Sequence, residues 1–469
     1  MMLSVLALVP LSLAAEVGSL SSSTWYEVIE APTGETVWFQ IHYPSRSADY
    51  GADADPTAGP YPLVAFMHGH LGQAWMYQSL CDAIASMGFV VVNLDTETGP
   101  WLDPEVLAQD AQTALEWVDA RSAEPDHWLA GMASDAPWSA MGHSMGGIAM
   151  AHLIDQEPRI NLAVGFAPYR DEAYVWDAYT TFHGAALMIG GSEDETSTPE
   201  IVSGWLRDVD APTRGLYISV HGAGHQAVTD IELEAAELTD AEQLAASIEL
   251  ASNFVNAEHN GEEQAYDRLI CTPTFTFDTI QSRGTLPATA AVAVDPAHLR
   301  LSVVGAVGDT VILYGSAGPG THDTPDGPLG LHAAVELARL DLPEGAACVE
   351  IALPAELEAR AWIQAQHIQP TGAVNGRVID VFETGATAPE PDEDTGTNAD
   401  TGPTEDNDSA APAEPQDTSD PDPAAPLAAD PQGEASAKGG VGCGCSATPS
   451  PLSPLSALLA LALLLRRRP

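Results

Sequence analysis

A serine crowded by glycines is the feature that most limits how this chain can fold. In "SAMGHSMGGIAM" Gly142, Gly146 and Gly147 surround Ser144, although glycine weakens strands and helices alike. "PWSA" before the serine reads as a strand, and "GIAMAHLIDQE" after it reads as a helix. A strand that reverses abruptly into a helix leaves no room for side chains two positions before and after the bend, and it presents the hydroxyl at the tip. Gly142, Ser144 and Gly146 meet that G-x-S-x-G demand. Without the flanking elements the same letters would describe only a glycine-rich helix start.

The surrounding sequence has the alternation such a bend requires. Between about residues 24 and 275, short apolar runs alternate with helix-period stretches, which predicts an α/β fold built on a mostly parallel sheet flanked by helices. "PLVAFMH" and "GFVVVNLD" are continuous runs suited to strands covered on both faces, whereas "ETVWFQIHYP" alternates as a half-buried strand does. "PWSAMGH", "NLAVGF", "AALMIGG" and "RGLYISVHG" supply further strands. Asp103 and Pro104 open one long helix, and "AEQLAASIELASNFVNAEHNG" closes the region with a helix ended by Gly261. The catalytic part is placed at residues 16–275 and a small β-sandwich-like part at 276–383, where short strands follow one another between Gly and Pro turns. "GTHDTPDGP" within that part reads as a surface loop, lacking the carboxylate spacing of a calcium loop.

Both ends of the chain carry a different signal. "MMLSVLALVPLSLAA" is an apolar run ending in small residues, read as a signal peptide over residues 1–15 despite its missing positive start. Residues 384–440 are rich in Pro, Asp, Glu and Thr and cannot offset their ordering entropy by burial, so they read as a disordered linker. Residues 441–469 hold "GCGC", a short apolar run and "RRRP"; the run falls short of the roughly 20 residues that cross a bilayer comfortably, which favours a sorting signal over a permanent anchor. Cys271 and Cys348 are candidates for a disulfide in an oxidising compartment, and Cys81 reads as a small buried hydrophobe.

The chemistry expected of Ser144 requires a base and a group that orients it. On such a bend the partners follow in the order acid, then histidine, each after a later strand. "ALMIGGSEDETSTP" runs from a strand into carboxylates and "LYISVHGAGHQAV" from a strand into histidines. Asp194 is the expected acid, with Glu195 its main rival and Glu193 beside them; His225 is the expected base, with His221 competing. The oxyanion would meet the backbone N–H of Met145 and that of His70, or alternatively Leu71, in "AFMHGHLG". His68 and His70 alternate along an extended segment and so do not form a metal pair. No cofactor or metal is called for.

Together, "GHSMGG", the "HGH" after a strand, "GGSEDETSTP", "GAGH" and the closing helix resemble α/β hydrolases of the cutinase, polyester hydrolase, chlorophyllase and platelet-activating-factor acetylhydrolase group. The resemblance spans about residues 24–275 and implies a serine esterase that acts through an acyl-enzyme. It also implies a substrate-flanking aromatic where this chain has Tyr169 in "FAPYRDE", a departure from the family's tryptophan. The tail resembles the C-terminal sorting signal of myxobacterial surface proteins.

Charge narrows the partners. With 67 acidic and 16 basic residues, a formal charge of −51, the chain repels nucleic acid and grips anionic membrane poorly, so any envelope contact would run through the tail. The expected substrate is a small or polymeric ester. About fifty residues separate Ser144 from the acidic loop and are filled by a helix, a strand and a connection, which leaves little for a large lid. Tyr169, Tyr174, Trp176 and Tyr179 are candidates for a cleft wall. The alternative is a surface binding or adhesion protein on the same scaffold, which fold alone does not exclude.

Overall fold

A computed structural model of the protein describes residues 18–380 except 171–181, 209–213, 232–235, 263, 284–287, 296, 306, 358–360, 370–371 and 376–378. The expected leader, linker and tail, and Tyr174, Trp176 and Tyr179, lie outside the described residues.

The apolar runs form the interior of a mixed, mostly parallel sheet of nine strands. In chain order these are β1 (Ser22–Glu30), β2 (Thr36–Pro44), β3 (Leu63–Met67), β4 (Val90–Leu94), β5 (Trp138–His143), β6 (Ile160–Phe166), β7 (Ala185–Gly191), β8 (Gly215–Val220) and β9 (Phe277–Arg283). They lie side by side as β1-β2-β4-β3-β5-β6-β7-β8-β9. From β4 to β8 each neighbouring pair is parallel; β1, β2 and β9 join antiparallel. Every residue of β3, β4, β5, β7 and β8 is buried, as strands covered on both faces must be.

Among the described residues the covering helices are α1 (Gln78–Ser86), α2 (Pro104–Ser122), α3 (Met145–Gln156), α4 (Pro199–Asp208), α5 (Asp240–Glu258) and α6 (Ala265–Ile270). Leu107 and Leu115 of α2, Leu153 of α3 and Trp205 of α4 pack on one face. Leu80 and Ile84 of α1, Leu250 and Phe254 of α5 and Leu269 of α6 pack on the other, with Cys81 buried and free among them. The Asp103 side chain accepts from the Glu105 amide at 3.0 Å, so α2 starts where the Asp-Pro pair predicts. At α5, Thr239 and Glu242 cap each other's backbone amides reciprocally.

One strand crosses the boundary expected at residue 275. Phe277–Arg283 is β9, paired with β8 from Gly215↔Arg283 to Val220↔Phe277, and so belongs to the nine-stranded sheet. Its polar, half-exposed composition is that of an edge strand and carries little burial signal.

Beyond β9 every regular element among the described residues is a strand. One sheet has β10 (Ala288–Asp295), β11 (His298–Val304) and β16 (Ala346–Ala352) in that order. A second runs β15 (Val335–Leu342), β12 (Asp309–Ser316), β17 (Trp362–Gln369), β18 (Gly372–Asn375), with β19 (Ile379–Asp380) also pairing β17. Leu299, Leu301 and Val303 of β11 meet Val311 and Leu313 of β12 and Ile363 of β17 in a shared core between them. The stretch read as a surface loop instead forms a hairpin, β13 (Pro319–Thr324) and β14 (Gly327–Leu331). The chain reverses at Pro325-Asp326, and Gly327, at φ 123°, leaves that turn as the first residue of β14. Cys271, just past α6, is disulfide-bonded to Cys348 of β16. Beside it Arg300 of β11 donates to both carboxylate oxygens of Asp267 in α6, at 2.8 and 2.7 Å.

Candidate active site

The reversal at Ser144 is as tight as its glycines imply. Ser144 joins β5 to α3 with φ 53° and ψ −117°, a left-handed conformation that side-chain-bearing residues rarely adopt. A β-carbon at position 142 would lie 2.2 Å from the Gly146 carbonyl oxygen. At position 146 it would lie 2.1 Å from the Met67 oxygen, and at position 147 it would lie 2.5 Å from the Pro168 β-carbon. The bend is held by its own amides: Ser144 N–H donates to Phe166 O at 3.1 Å, and Ser144 O accepts from Tyr169 N–H at 2.8 Å.

Two later loops bring their side chains to the hydroxyl. His225 Nε2 lies 2.9 Å from Ser144 Oγ, and His225 Nδ1 lies 2.8 Å from Asp194 Oδ2. All three residues are buried. An ionised carboxylate only accepts, so facing Asp194 the imidazole keeps its proton on Nδ1 and turns the Nε2 lone pair toward the serine hydroxyl. The other Asp194 oxygen accepts from the amides of Thr196 and Ser197 at 2.7 and 2.8 Å, which fixes the carboxylate on its turn. The two loops are laced together: Glu193 N–H donates to Ala223 O at 2.9 Å and Gly222 N–H to Ser192 Oγ at 2.8 Å.

The rival residues point elsewhere. Glu193 accepts from the Glu237 amide at 2.9 Å, and Glu195 is exposed. His221 lies on the surface, its Nδ1 2.9 Å from Asp278 of β9.

The turn after β3, which carries His70 and Leu71, abuts the serine at Gly69. A β-carbon on Gly69 would lie 3.1 Å from Ser144 Cβ, and the turn closes with Gly72 N–H donating to Gly69 O at 2.8 Å. Met145 is the first residue of α3, where backbone N–H groups lack intrahelical acceptors. The two amides nominated for an oxyanion thus sit on segments that both abut Ser144. Tyr169, about a third exposed, follows β6 and touches the bend through its amide. His68 is fully buried, with its ring nitrogens 2.8 and 2.7 Å from the carbonyl oxygens of Gly69 and Thr96. Among the described residues no three His, Cys, Asp or Glu side chains gather as a metal site would need.

Sequence reasoning did not single out two buried groups behind Ser144 and His225. His143, in the motif itself, lies 2.9 Å from Tyr77 Oη through Nδ1 and 2.9 Å from His225 O through Nε2. Burial and the neighbouring His225 ring push its pKa down to about 3, so it is neutral. His143 was visible in the text as the residue before the serine. Tyr77 had no local signal, because only the fold brings it there.

Residues 28–241 match the family model described as PETase, PET hydrolase-like. The chain is 29% identical to a cutinase of Thermobifida alba, est2, over 189 residues that cover 39% of this chain and 56% of that one. It is 28% identical to cutinase 2 of Thermobifida cellulosilytica over 190 residues, 39% and 64% of the two chains. It is also 26% identical to a bis(hydroxyethyl) terephthalate hydrolase of Streptomyces coelicolor over 173 residues, 37% and 45%. This chain therefore covers less than two thirds of each of these relatives' length.

Proposed function

We propose that the PET hydrolase-like stretch of this chain is a serine esterase that cleaves carboxylic esters, soluble or polymeric, through an acyl-enzyme. The observation that carries the reading is the unbroken chain from Ser144 Oγ to His225 Nε2 at 2.9 Å and from His225 Nδ1 to Asp194 at 2.8 Å, set on a strained bend. As Oγ bonds to the ester carbonyl carbon, its proton passes to Nε2 and the carbonyl electron pair moves onto oxygen. The N–H groups of Met145 and His70 stabilise that negative oxygen. The pair then returns, the bond to the alcohol oxygen breaks, and Nε2 gives its proton to the departing alkoxide. Water repeats the sequence and releases the acid, with Asp194 holding the imidazole's orientation and balancing its charge throughout.

The relatives' printed names, cutinase and bis(hydroxyethyl) terephthalate hydrolase, favour cutin or terephthalate esters as substrates. The apolar opening run, the acidic linker and the tail support export, with attachment to the cell envelope.

The test is hydrolysis of a p-nitrophenyl ester by the purified protein. Ser144→Ala is expected to lower kcat by about four orders of magnitude or more, and Asp194→Asn by about four. Glu195→Gln is expected to stay within about twofold of the parent. Activity that survives in Ser144→Ala overturns the reading, and loss in Glu195→Gln alone overturns the choice of acid.

A further inference from the structure

The buried groups behind Ser144 and His225 form a one-directional chain. Tyr77 ends the turn Ala74–Tyr77 ahead of α1, and its ring packs against Phe66 and His143 with centroids 4.7 and 5.7 Å away. Gly69 N–H donates to Tyr77 Oη at 3.1 Å, Tyr77 Oη lies 2.9 Å from His143 Nδ1, and His143 Nε2 lies 2.9 Å from His225 O. The two ends fix every proton between them. A backbone N–H can only donate and a carbonyl can only accept. The phenol therefore accepts from Gly69 and gives its own proton to Nδ1, which leaves the ring proton of His143 on Nε2, pointed at the His225 carbonyl. The opposite tautomer would set a lone pair against that carbonyl.

We propose that Tyr77 is a positioning residue, whose hydroxyl, accepting from Gly69 N–H and donating to His143 Nδ1, ties the oxyanion turn at Gly69 through the His143 ring to the main chain of His225. The proposal rests on the serine esterase reading above, and it assigns Tyr77 no contact with substrate. Oxyanion donors and the base are useful only when held within a fraction of an ångström of their place in the transition state. The hydroxyl links the two segments that must keep that spacing through a path independent of the reacting atoms. The neutrality of His143, buried beside a ring that becomes cationic during turnover, is a condition for this path.

Tyr77→Phe keeps the ring and deletes only the link. With a p-nitrophenyl ester, kcat is expected to fall about tenfold while KM stays within about twofold, because binding does not need the link and the transition state does. In ¹⁵N-histidine spectra of the full chain, His143 is expected as the Nε2–H tautomer in both the parent and Tyr77→Phe, because the His225 carbonyl still accepts from Nε2, while the Nδ1 resonance moves downfield in the variant as its lone pair loses the phenol donor. His143→Phe already breaks the path, so adding Tyr77→Phe to it should cost no further activity. A Tyr77→Phe kcat within twofold of the parent overturns the proposal, as does an unchanged His143 Nδ1 resonance or additive losses in the double variant. If the parent proves no more active than Ser144→Ala, the esterase reading fails separately, and the Nδ1 resonance still reports on the path.

Discussion

At the scale of single residues, space decides as much as chemistry. Gly146 lies so close to β3 that an alanine methyl there would sit 2.1 Å from the Met67 oxygen and 2.7 Å from the His68 oxygen. Both neighbours are backbone, so the bend itself must move. Gly146→Ala is expected to cost about 2 kcal/mol in urea unfolding and most of the esterase activity. Asp110 of α2 shows the opposite kind of tension. Burial and the nearby Glu97 and Glu35 raise its pKa to about 6, against an ordinary 3.8, with a Thr96 hydrogen bond opposing them. A carboxyl that holds its proton more tightly when folded adds stability that is complete below about pH 4 and lost as pH rises through about 6. Asp110→Asn should flatten that slope and unfold at higher urea than the parent at pH 8, by about 1 kcal/mol after solvent screening. Residue identity was only partly legible in the sequence. Three consecutive carboxylates look alike in text; what singles out Asp194 is a turn that aims two amides at one of its oxygens. His221 and His225 likewise differ because β9 supplies Asp278 to hold the first at the surface.

At the scale of elements, signals written in local chemistry could be read directly. The start of α2 was visible in Asp103 and Pro104, and the strands β3, β4 and β7 in their unbroken apolar runs. The antiparallel edges were not. β1 and β9 show half-exposed, partly polar faces, and their place depends on which neighbour they find in space. The hairpin β13–β14 was hidden in the same way, since most of its side chains face solvent. The reciprocal cap of α5 has a measurable effect. Thr239→Ala removes an acceptor for the Glu242 amide and is expected to lower stability by about 1 kcal/mol in thermal or urea unfolding, with kcat unchanged.

At the scale of the whole molecule, the described α/β and all-β parts are joined by more than a linker. The Cys271–Cys348 disulfide, the two hydrogen bonds from Arg300 to Asp267 and the Ser282 hydroxyl, shared between the Gly305 and Gly345 carbonyls, all cross between them. Replacing both cysteines by serine is expected to cost about 2–4 kcal/mol in unfolding. It should leave the specific activity of the folded protein unchanged at 25 °C, a difference that parallel calorimetry and ester assays would register. The pairing was only a candidate in the sequence, because spacing alone does not say which sulfurs meet.

β9 turns this connection into a constraint on truncation. The strand that carries the His225 loop at its end has its outer flank closed by a segment from past the expected boundary. A chain cut at residue 275 would leave that flank of β8 bare, its backbone amides and carbonyls open to water or to another strand.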